Sequence, residues 1–186
     1  RLLSESIDSS INDVYRLVRY CQTDSNIAKY IEHNPNPGSV LSVSTYDSFS
    51  EECSRNGAYN YMPRIAVVSQ EHYLQVVATT YSSTADLAEQ IPLLPFYEEL
   101  LAADDYDFST GIIADPFHRA GRKVLPILRP ITYQYNSKQA GYLFIEVSTD
   151  LFTTPLKDYS CPEDSYLYLT IAGHSYIYED NELREY

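Results

Sequence analysis

An amphipathic repeat at the N-terminus constrains the fold of this chain more than any other feature. Apolar residues recur there at steps of three and four with polar residues between them, close to a heptad pattern. This spacing predicts one long helix whose single apolar stripe must be buried. The surface that buries it is either the body of the same chain or a second copy, and the pattern leaves both open. The stripe comprises Leu3, Ile7, Ile11, Val14, Val18 and Cys21.

Helical patterns continue up to residue 55. Thr23, Asp24 and Ser25 offer N-caps for a second helix, which meets the breaker Asn-Pro-Asn-Pro-Gly at 34–38. A third helix is predicted over 40–55 and ends at Asn56-Gly57 in the manner of a left-handed cap. We expect its core-facing positions to be Tyr46, Phe49 and Cys53.

The chain then alternates between strands and short helices. Consecutive antiparallel strands beside crossing helices predict an α+β fold, with a central antiparallel sheet and the long N-terminal helix packed on one face. We expect three regions: a stalk and packing helix over 1–33, a central domain over 34–160, and a hairpin over 161–186. The hairpin is either a closing element or the start of a second module. The predicted elements are a hairpin over 64–68 and 73–81, a helix over 84–103 interrupted at Pro92 and Pro95, strands over 110–114, 123–134 and 141–148, a helix over 149–159, and a hairpin over 166–178.

Charge and composition exclude several classes of function. The 186 residues carry 13 basic and 26 acidic side chains, a net charge of −13, which repels nucleic acid. No run approaches the roughly 18 apolar residues that span a bilayer. The chain opens on Arg1 rather than Met, so we expect it to be processed or excised. The separated Cys21, Cys53 and Cys161 are expected to be buried or free thiols, with one disulfide left open, and no metal or cofactor site has workable spacing.

Catalytic motifs are missing from the sequence. It contains no nucleophile elbow, no HExxH, no phosphate-binding loop and no GxGxxG after a strand. The four histidines fall in predicted turns or helix ends, where an exposed bystander is the ordinary interpretation. We therefore predict a chain that is not an enzyme, with a secreted hydrolase as the weaker alternative.

Two stretches carry a resemblance to a known family. The first is Leu128-Arg129-Pro130-Ile131, a polar turn, and then Gly141-Tyr142-Leu143-Phe144-Ile145-Glu146-Val147 leading into a helix. The second is the helix at Phe96-Tyr97, similar to the aromatic pair on the helix that covers the pocket in Cache domains. With the order of elements, these stretches resemble the extracellular Cache domains of bacterial membrane receptors over about 150 residues. The resemblance implies a PAS-like fold.

The resemblance also implies a function. The chain looks like the extracellular part of sensor histidine kinases of Gram-positive bacteria, with chemoreceptors as the alternative. Such a domain belongs to a membrane-anchored parent protein, and its first helix continues from a transmembrane segment. If the apolar stripe of that helix packs against a second copy, the chain forms a homodimer through it. It binds a small molecule, performs no catalysis and needs no cofactor.

The family pattern also indicates what the ligand is. Members that bind amino acids carry an arginine two residues before the aromatic pair, and Leu94 stands there in this chain. Glu146 takes the place of the aspartate that meets the ligand amine, and Tyr97 is the second aromatic. The implied ligand is therefore small and polar or amine-bearing, and classical amino-acid sensing is in doubt.

Strand alternation defines the expected pocket. Tyr142, Phe144 and Glu146 share one face of their strand, while Leu143, Ile145 and Val147 share the other. A buried carboxylate needs a partner, and one alternative is a salt bridge from Glu146 to Arg129. The other is a ligand cavity beneath the segment 84–117. Its expected lining is Glu146, Tyr97, Phe96, Arg129 and Tyr81, with Tyr142 and Phe144 as the apolar floor.

Overall fold

The computed structural model describes residues 2–78, 86–103, 110–118, 120–136 and 138–186, and Tyr81 lies outside these ranges. The N-terminal helix α1 spans Leu2–Thr23, a length of 22 residues, which confirms the predicted long helix. From Ile7 to Cys21 its apolar stripe packs on the body of its own chain. No helix in the described ranges is both long and apolar enough to cross a membrane. The buried residues of α1 are Val14, Leu17, Val18 and Cys21, and Ile7 and Ile11 pack against the same core from partly exposed positions.

Helices α2 (Ser25–His33) and α3 (Val40–Arg55) follow, with the expected cap at Asp24, whose carboxylate accepts from two amides of the first turn. Two predictions for α3 are wrong. Asn56 has φ −73° rather than a left-handed conformation. Tyr46 is 40% exposed, because the buried face of α3 that contains Phe49 and Cys53 continues toward the N-terminus of the helix through two small polar residues instead. These residues are Ser42 and Thr45.

The main sheet has five antiparallel strands in the order β2-β1-β5-β4-β3. Its central strand, β5, pairs with β1 on one side and β4 on the other. In the β1–β5 register, Arg64 lies opposite Glu146 and Val68 lies opposite Tyr142. The strands are β1 (Arg64–Val68), β2 (Tyr73–Val77), β3 (Ile113–Ala114), β4 (Lys123–Thr132) and β5 (Gln139–Ser148). The first four lie within the predicted ranges, and β5 begins two residues before its predicted start.

The two faces of this sheet have different covers. The face of Leu143, Ile145 and Val147 packs under α1 and α2 and forms a first core cluster, as expected. The face of Tyr142 and Phe144 packs under residues 86–103, which we call the helical layer, and forms a second, smaller core cluster. The layer consists of α4 (Leu87–Gln90), a 3₁₀ turn at Ile91–Leu93 and α5 (Tyr97–Ala102), interrupted at the two prolines as predicted.

A small three-stranded sheet closes the chain. This sheet follows helix α6 (Asp150–Thr153) and a 3₁₀ turn at Thr154–Leu156. Together they are shorter than the helix predicted over 149–159, because Pro155 lacks the N–H that a continuing helix needs. One face of the small sheet joins the first core cluster through Ile171, Tyr176 and Leu183. The sequence did not indicate the third strand. The strands are β6 (Leu167–Ile171), β7 (His174–Glu179) and β8 (Glu182–Glu185) in that order.

The architecture is therefore α+β, with a central antiparallel sheet and a long N-terminal helix on one face, consistent with a PAS-like fold as predicted. Cys21, Cys53 and Cys161 are free thiols, the first two buried and the third exposed.

Candidate functional site

A buried ion pair lies on the sheet face beneath the helical layer. Arg64 on β1 and Glu146 on β5 lie opposite one another, and neither side chain is exposed to solvent. Arg64 Nε donates to Glu146 Oε1 at 2.8 Å, and Arg64 Nη1 donates to Gln75 Oε1 on β2 at 2.7 Å. This pairing corrects the alternative that joined Glu146 to Arg129.

Arg129 lies elsewhere because of its register. It stands opposite Leu143, and since residues at odd spacing on a strand point to opposite faces, it does not share the face of Glu146. Its guanidinium donates to the backbone oxygens of Leu128 at 2.9 Å and Leu100 at 3.4 Å. The structure therefore separates two residues that the sequence had placed in one cavity.

A second carboxyl reaches the ion pair from the segment between β3 and β4. Asp115 is 4% exposed, accepts from Arg122 Nε and from the Phe117 amide at 2.8 Å each, and is in hydrogen-bonding contact with Glu146. We call these side chains the buried polar cluster: Arg64, Gln75, Asp115, Arg122 and Glu146.

The two carboxyls of the cluster have opposite pKa shifts. Burial and the contact with Asp115 raise the pKa of Glu146, Arg64 opposes them, and together these effects raise the pKa to about 9. Burial also acts to raise the pKa of Asp115, but hydrogen bonds from Glu146, the Phe117 amide and Arg122 outweigh it, so this pKa is lowered. Of the two carboxyls, Asp115 is therefore the more acidic and Glu146 the one that binds a proton more readily.

Aromatic rings seal the cluster on the side of the second core cluster. The Arg64 guanidinium lies over the Phe117 ring at 5.4 Å, and that ring meets Phe144 edge-on at 5.9 Å. Since Glu146 and Arg64 have no solvent contact, a diffusing molecule cannot reach them in this conformation. The cluster ties three strands and the β3–β4 segment together, and its first role is structural.

A cleft of about 310 Å³ opens at the other end of the same sheet face. It lies between the β1–β2 turn, the helical layer and the start of β5. That volume is at the lower end of the range for small-molecule pockets, roughly 300–1,000 Å³. We call it the tyrosine cleft; its lining is Ser69, Gln70, Ala88, Pro92, Tyr97, Gln139, Ala140, Gly141 and Tyr142.

Tyr142 is the most unusual member of this lining. It is 5% exposed, and its hydroxyl is buried without a hydrogen-bond partner. An unsatisfied buried hydroxyl costs about 1–3 kcal/mol, so one in a folded protein needs an explanation. Its ring meets that of Tyr97 edge-on, with centroids 5.7 Å apart, and Tyr97 is in hydrogen-bonding contact with Gln139.

The structure brings only part of the predicted site together. Tyr97 and Tyr142 both line the tyrosine cleft, and Phe96 packs partly buried against the second core cluster beside them. Phe144 is completely buried under the helical layer. Glu146 and Arg129 do not belong to the described lining of the tyrosine cleft, and Tyr81 is outside the described residues.

Sequence reasoning missed four members of the buried polar cluster. Arg64 had one available signal, since it is a charged residue at the head of a β-branched run, where an unpaired charge would be costly. Asp115 and Arg122 flank a short loop and carried no signal of their own. Gln75 occupies an alternating position on a strand, where a polar residue usually faces solvent.

Comparisons with known proteins add little. No family model and no curated protein matches the chain. Among solved structures, the ligand-binding domain of the Campylobacter jejuni chemoreceptor Tlp3, in complex with 4-methylisoleucine, is similar with a TM-score of 0.43 and 10% identity. The match covers 92% of this chain and 86% of that one. A similarity of this size is too weak to assign a family or a ligand.

Proposed function

We propose that this chain is an extracytoplasmic sensor domain that binds a small polar or amine-bearing molecule in the tyrosine cleft and performs no catalysis. The observation that carries the proposal is the cleft itself, which lies between the sheet and the helical layer and has a buried, unpartnered hydroxyl in its wall. A native fold accepts such a cost more readily where a ligand removes it. The cleft also contains Tyr97 and Tyr142, two residues assigned to the site from the sequence.

A binding module accounts for these residues better than a hydrolase does. The only perturbed carboxyls among the described residues are Asp115 and Glu146, and both of these side chains are shielded from solvent. The described lining of the tyrosine cleft contains no carboxylate and no histidine that could serve as a general base. Hydroxyl, amide and aromatic groups suit recognition rather than acid–base chemistry.

The parent protein is, on this proposal, a membrane-anchored sensor histidine kinase with the domain on the extracellular side of a bacterial membrane. A chemoreceptor is the alternative. The support is the sequence resemblance at 128–131, 141–147 and Phe96-Tyr97, together with the α+β fold. Residues 1–33 then act as stalk and packing helix and 34–160 as the sensor. The segment 161–186 acts as a closing element, since three of its side chains join the first core cluster.

Dimerisation through α1 remains part of the proposal in a restricted form. The C-terminal half of the apolar stripe is buried in the first core cluster of the same chain, whereas Ile7 and Ile11 are only partly buried. A second copy would therefore meet the N-terminal half of α1. Signalling then requires two arrangements of the helical layer that bind the ligand with different affinity. The free energy by which the ligand shifts the equilibrium between them is no larger than the difference between its two binding free energies.

Thermal denaturation with a broad panel of small metabolites tests the proposal. A ligand that binds the native state raises the melting temperature in proportion to the logarithm of its concentration over Kd. Ala88→Leu fills the tyrosine cleft and should abolish the shift. Ala78→Leu is the matched control, because it fills a separate cleft of about 350 Å³. If no compound stabilises the protein, or if both variants respond like the wild type, the proposed function is wrong.

A further inference from the structure

We propose that the ligand of the tyrosine cleft is an uncharged molecule that presents a hydrogen-bond acceptor to the Tyr142 hydroxyl. This inference rests on the proposed function and narrows its ligand class. It departs from the amine-bearing ligand that the family resemblance implies. The argument depends on the charge of the lining, the state of the hydroxyl and the position of Tyr97.

The described lining of the cleft carries no charged side chain. Its polar groups are two glutamines, a serine and two tyrosines, and the Ser69 hydroxyl is already donated to the Ile31 carbonyl at 2.7 Å. A charged ligand entering such a cleft would lose hydration without gaining an ion pair, which disfavours it strongly. The carboxylate that the sequence assigned to a ligand amine, Glu146, is committed to Arg64 and Asp115.

Asp86 is the charged group whose influence reaches this hydroxyl. It lies just outside the lining, is exposed, and caps α4 by accepting from the Ala88 amide at 3.0 Å. Burial, followed by the neighbouring phenol of Tyr97 and the Asp86 carboxylate, raises the pKa of Tyr142 well above the usual value for tyrosine. Tyr142 therefore stays a neutral phenol, and its hydroxyl is available as a donor. The negative charge of Asp86 further disfavours an anionic ligand, and its attraction for a cation is weak because this carboxylate is exposed to solvent and already accepts from the Ala88 amide.

The position of Tyr97 shows how the hydroxyl becomes accessible. The Tyr142 oxygen has no solvent contact in this conformation, so a ligand must move a neighbour to reach it. Tyr97 is only partly buried and begins the six-residue helix α5 of the helical layer. Its ring contacts that of Tyr142 edge-on, so we infer that Tyr97 is the neighbour that moves. Binding at Tyr142 would thereby move the helical layer, which is the movement that a receptor needs.

The experiment compares neutral compounds with charged counterparts on wild type and Tyr142→Phe. The panel contains neutral amides, polyols and nucleobases, each beside an amine and a carboxylate of the same skeleton, such as nicotinamide, picolylamine and nicotinate. We expect neutral members to bind and their Kd to rise about three- to tenfold in Tyr142→Phe, the loss of one hydrogen bond. Without ligand, Tyr142→Phe should melt at the same temperature as wild type or higher, because it removes an unsatisfied group.

Controls separate the possible failures. Tyr168→Phe removes an exposed hydroxyl outside the cleft and should change no Kd. If only charged members bind, or if Tyr142→Phe binds as wild type does while Ala88→Leu abolishes binding, the inference is overturned and the proposed function stands. If no member binds, both fail. A large loss of melting temperature in ligand-free Tyr142→Phe would show a structural role for the hydroxyl and would also overturn the inference.

Discussion

Glu146 and Arg64 form a fully buried ion pair across two strands that are 82 residues apart in sequence. Arg64 Nε donates a hydrogen bond to Glu146 Oε1 at 2.8 Å. This contact offsets much of the free energy that the two side chains lose when burial removes their hydration. Burial and the contact with Asp115 raise the pKa of Glu146. Stability and its dependence on pH both follow from this arrangement.

Glu146→Gln should flatten the dependence of stability on pH. The native pKa of Glu146 is raised, so between its ordinary value of 4.5 and about 9 the folded protein binds more protons than the unfolded chain. The free energy of unfolding should fall as the pH rises through this window, by at most about 1.4 kcal/mol per pH unit for one proton. Glutamine mimics the protonated acid. Urea denaturation at several pH values from about 5 to 9 measures the slope of the unfolding free energy against pH. Equal slopes in wild type and variant would refute the assignment.

Arg64→Leu should destabilise the protein by about 3–5 kcal/mol, because it leaves the buried carboxyls without their cation. Chemical denaturation at neutral pH measures the loss. Arg55→Leu is the control, since Arg55 is exposed and pairs with Glu51 on the surface of α3. That change should cost less than about 0.5 kcal/mol. Equal losses of unfolding free energy in Arg64→Leu and Arg55→Leu would show that the buried pair stabilises the protein no more than the exposed pair does.

Gly141→Ala should destabilise the fold at the edge of the tyrosine cleft. A Cβ at this position would collide with the backbone oxygen of Val68 on β1 and crowd Ile31, so the strands would have to separate, at a cost of about 1–3 kcal/mol. Gly57→Ala is the matched control, because its Cβ would meet only the Asp13 carboxylate, at 2.7 Å from Oδ2, and that side chain can move. A Gly141→Ala variant as stable as Gly57→Ala would contradict the described β1–β5 approach.

Thiol reactivity should distinguish the three cysteines. Burial raises the pKa of Cys21 well above its ordinary value and that of Cys53 to about 12, whereas Cys161 is exposed. Only Cys161 should react with a chromogenic disulfide reagent in native buffer, because the thiolate is the reactive form. All three should react in denaturant. If the native Cys161→Ser variant still reacts rapidly with the reagent, Cys21 or Cys53 is accessible, which would contradict their described burial.

Much of the fold was predictable, and the reason is periodicity. The stripe of α1 and the alternation along β5 define elements and faces without knowledge of neighbours. The errors arose where partners decide the outcome. Small polar Ser42 and Thr45 are buried in α3 because of what packs against them, and charged β8 is a strand because β7 pairs with it.

The site was predictable only in part for the same reason. Alternation placed Tyr142, Phe144 and Glu146 on one face, but the partner of Glu146 depends on sheet order. Adjacent strands in sequence favoured Arg129, whereas β5 also pairs with β1 and thereby meets Arg64. Sequence offers no measure of which strand lies on the second side of β5. It also cannot indicate that the Tyr142 hydroxyl has no partner.

The most direct test of the central claim is a nuclear magnetic resonance titration of protein with isotope-labelled tyrosine rings. The compound that most stabilises the protein in the panel is added in steps. We expect ring signals of Tyr97 and Tyr142 to shift and saturate together, with an apparent Kd that matches the thermal data. Exposed Tyr168 and Tyr186 on the small sheet should not respond. Saturating shifts at Tyr168 and Tyr186, with Tyr97 and Tyr142 unchanged, would contradict the tyrosine cleft as the ligand site.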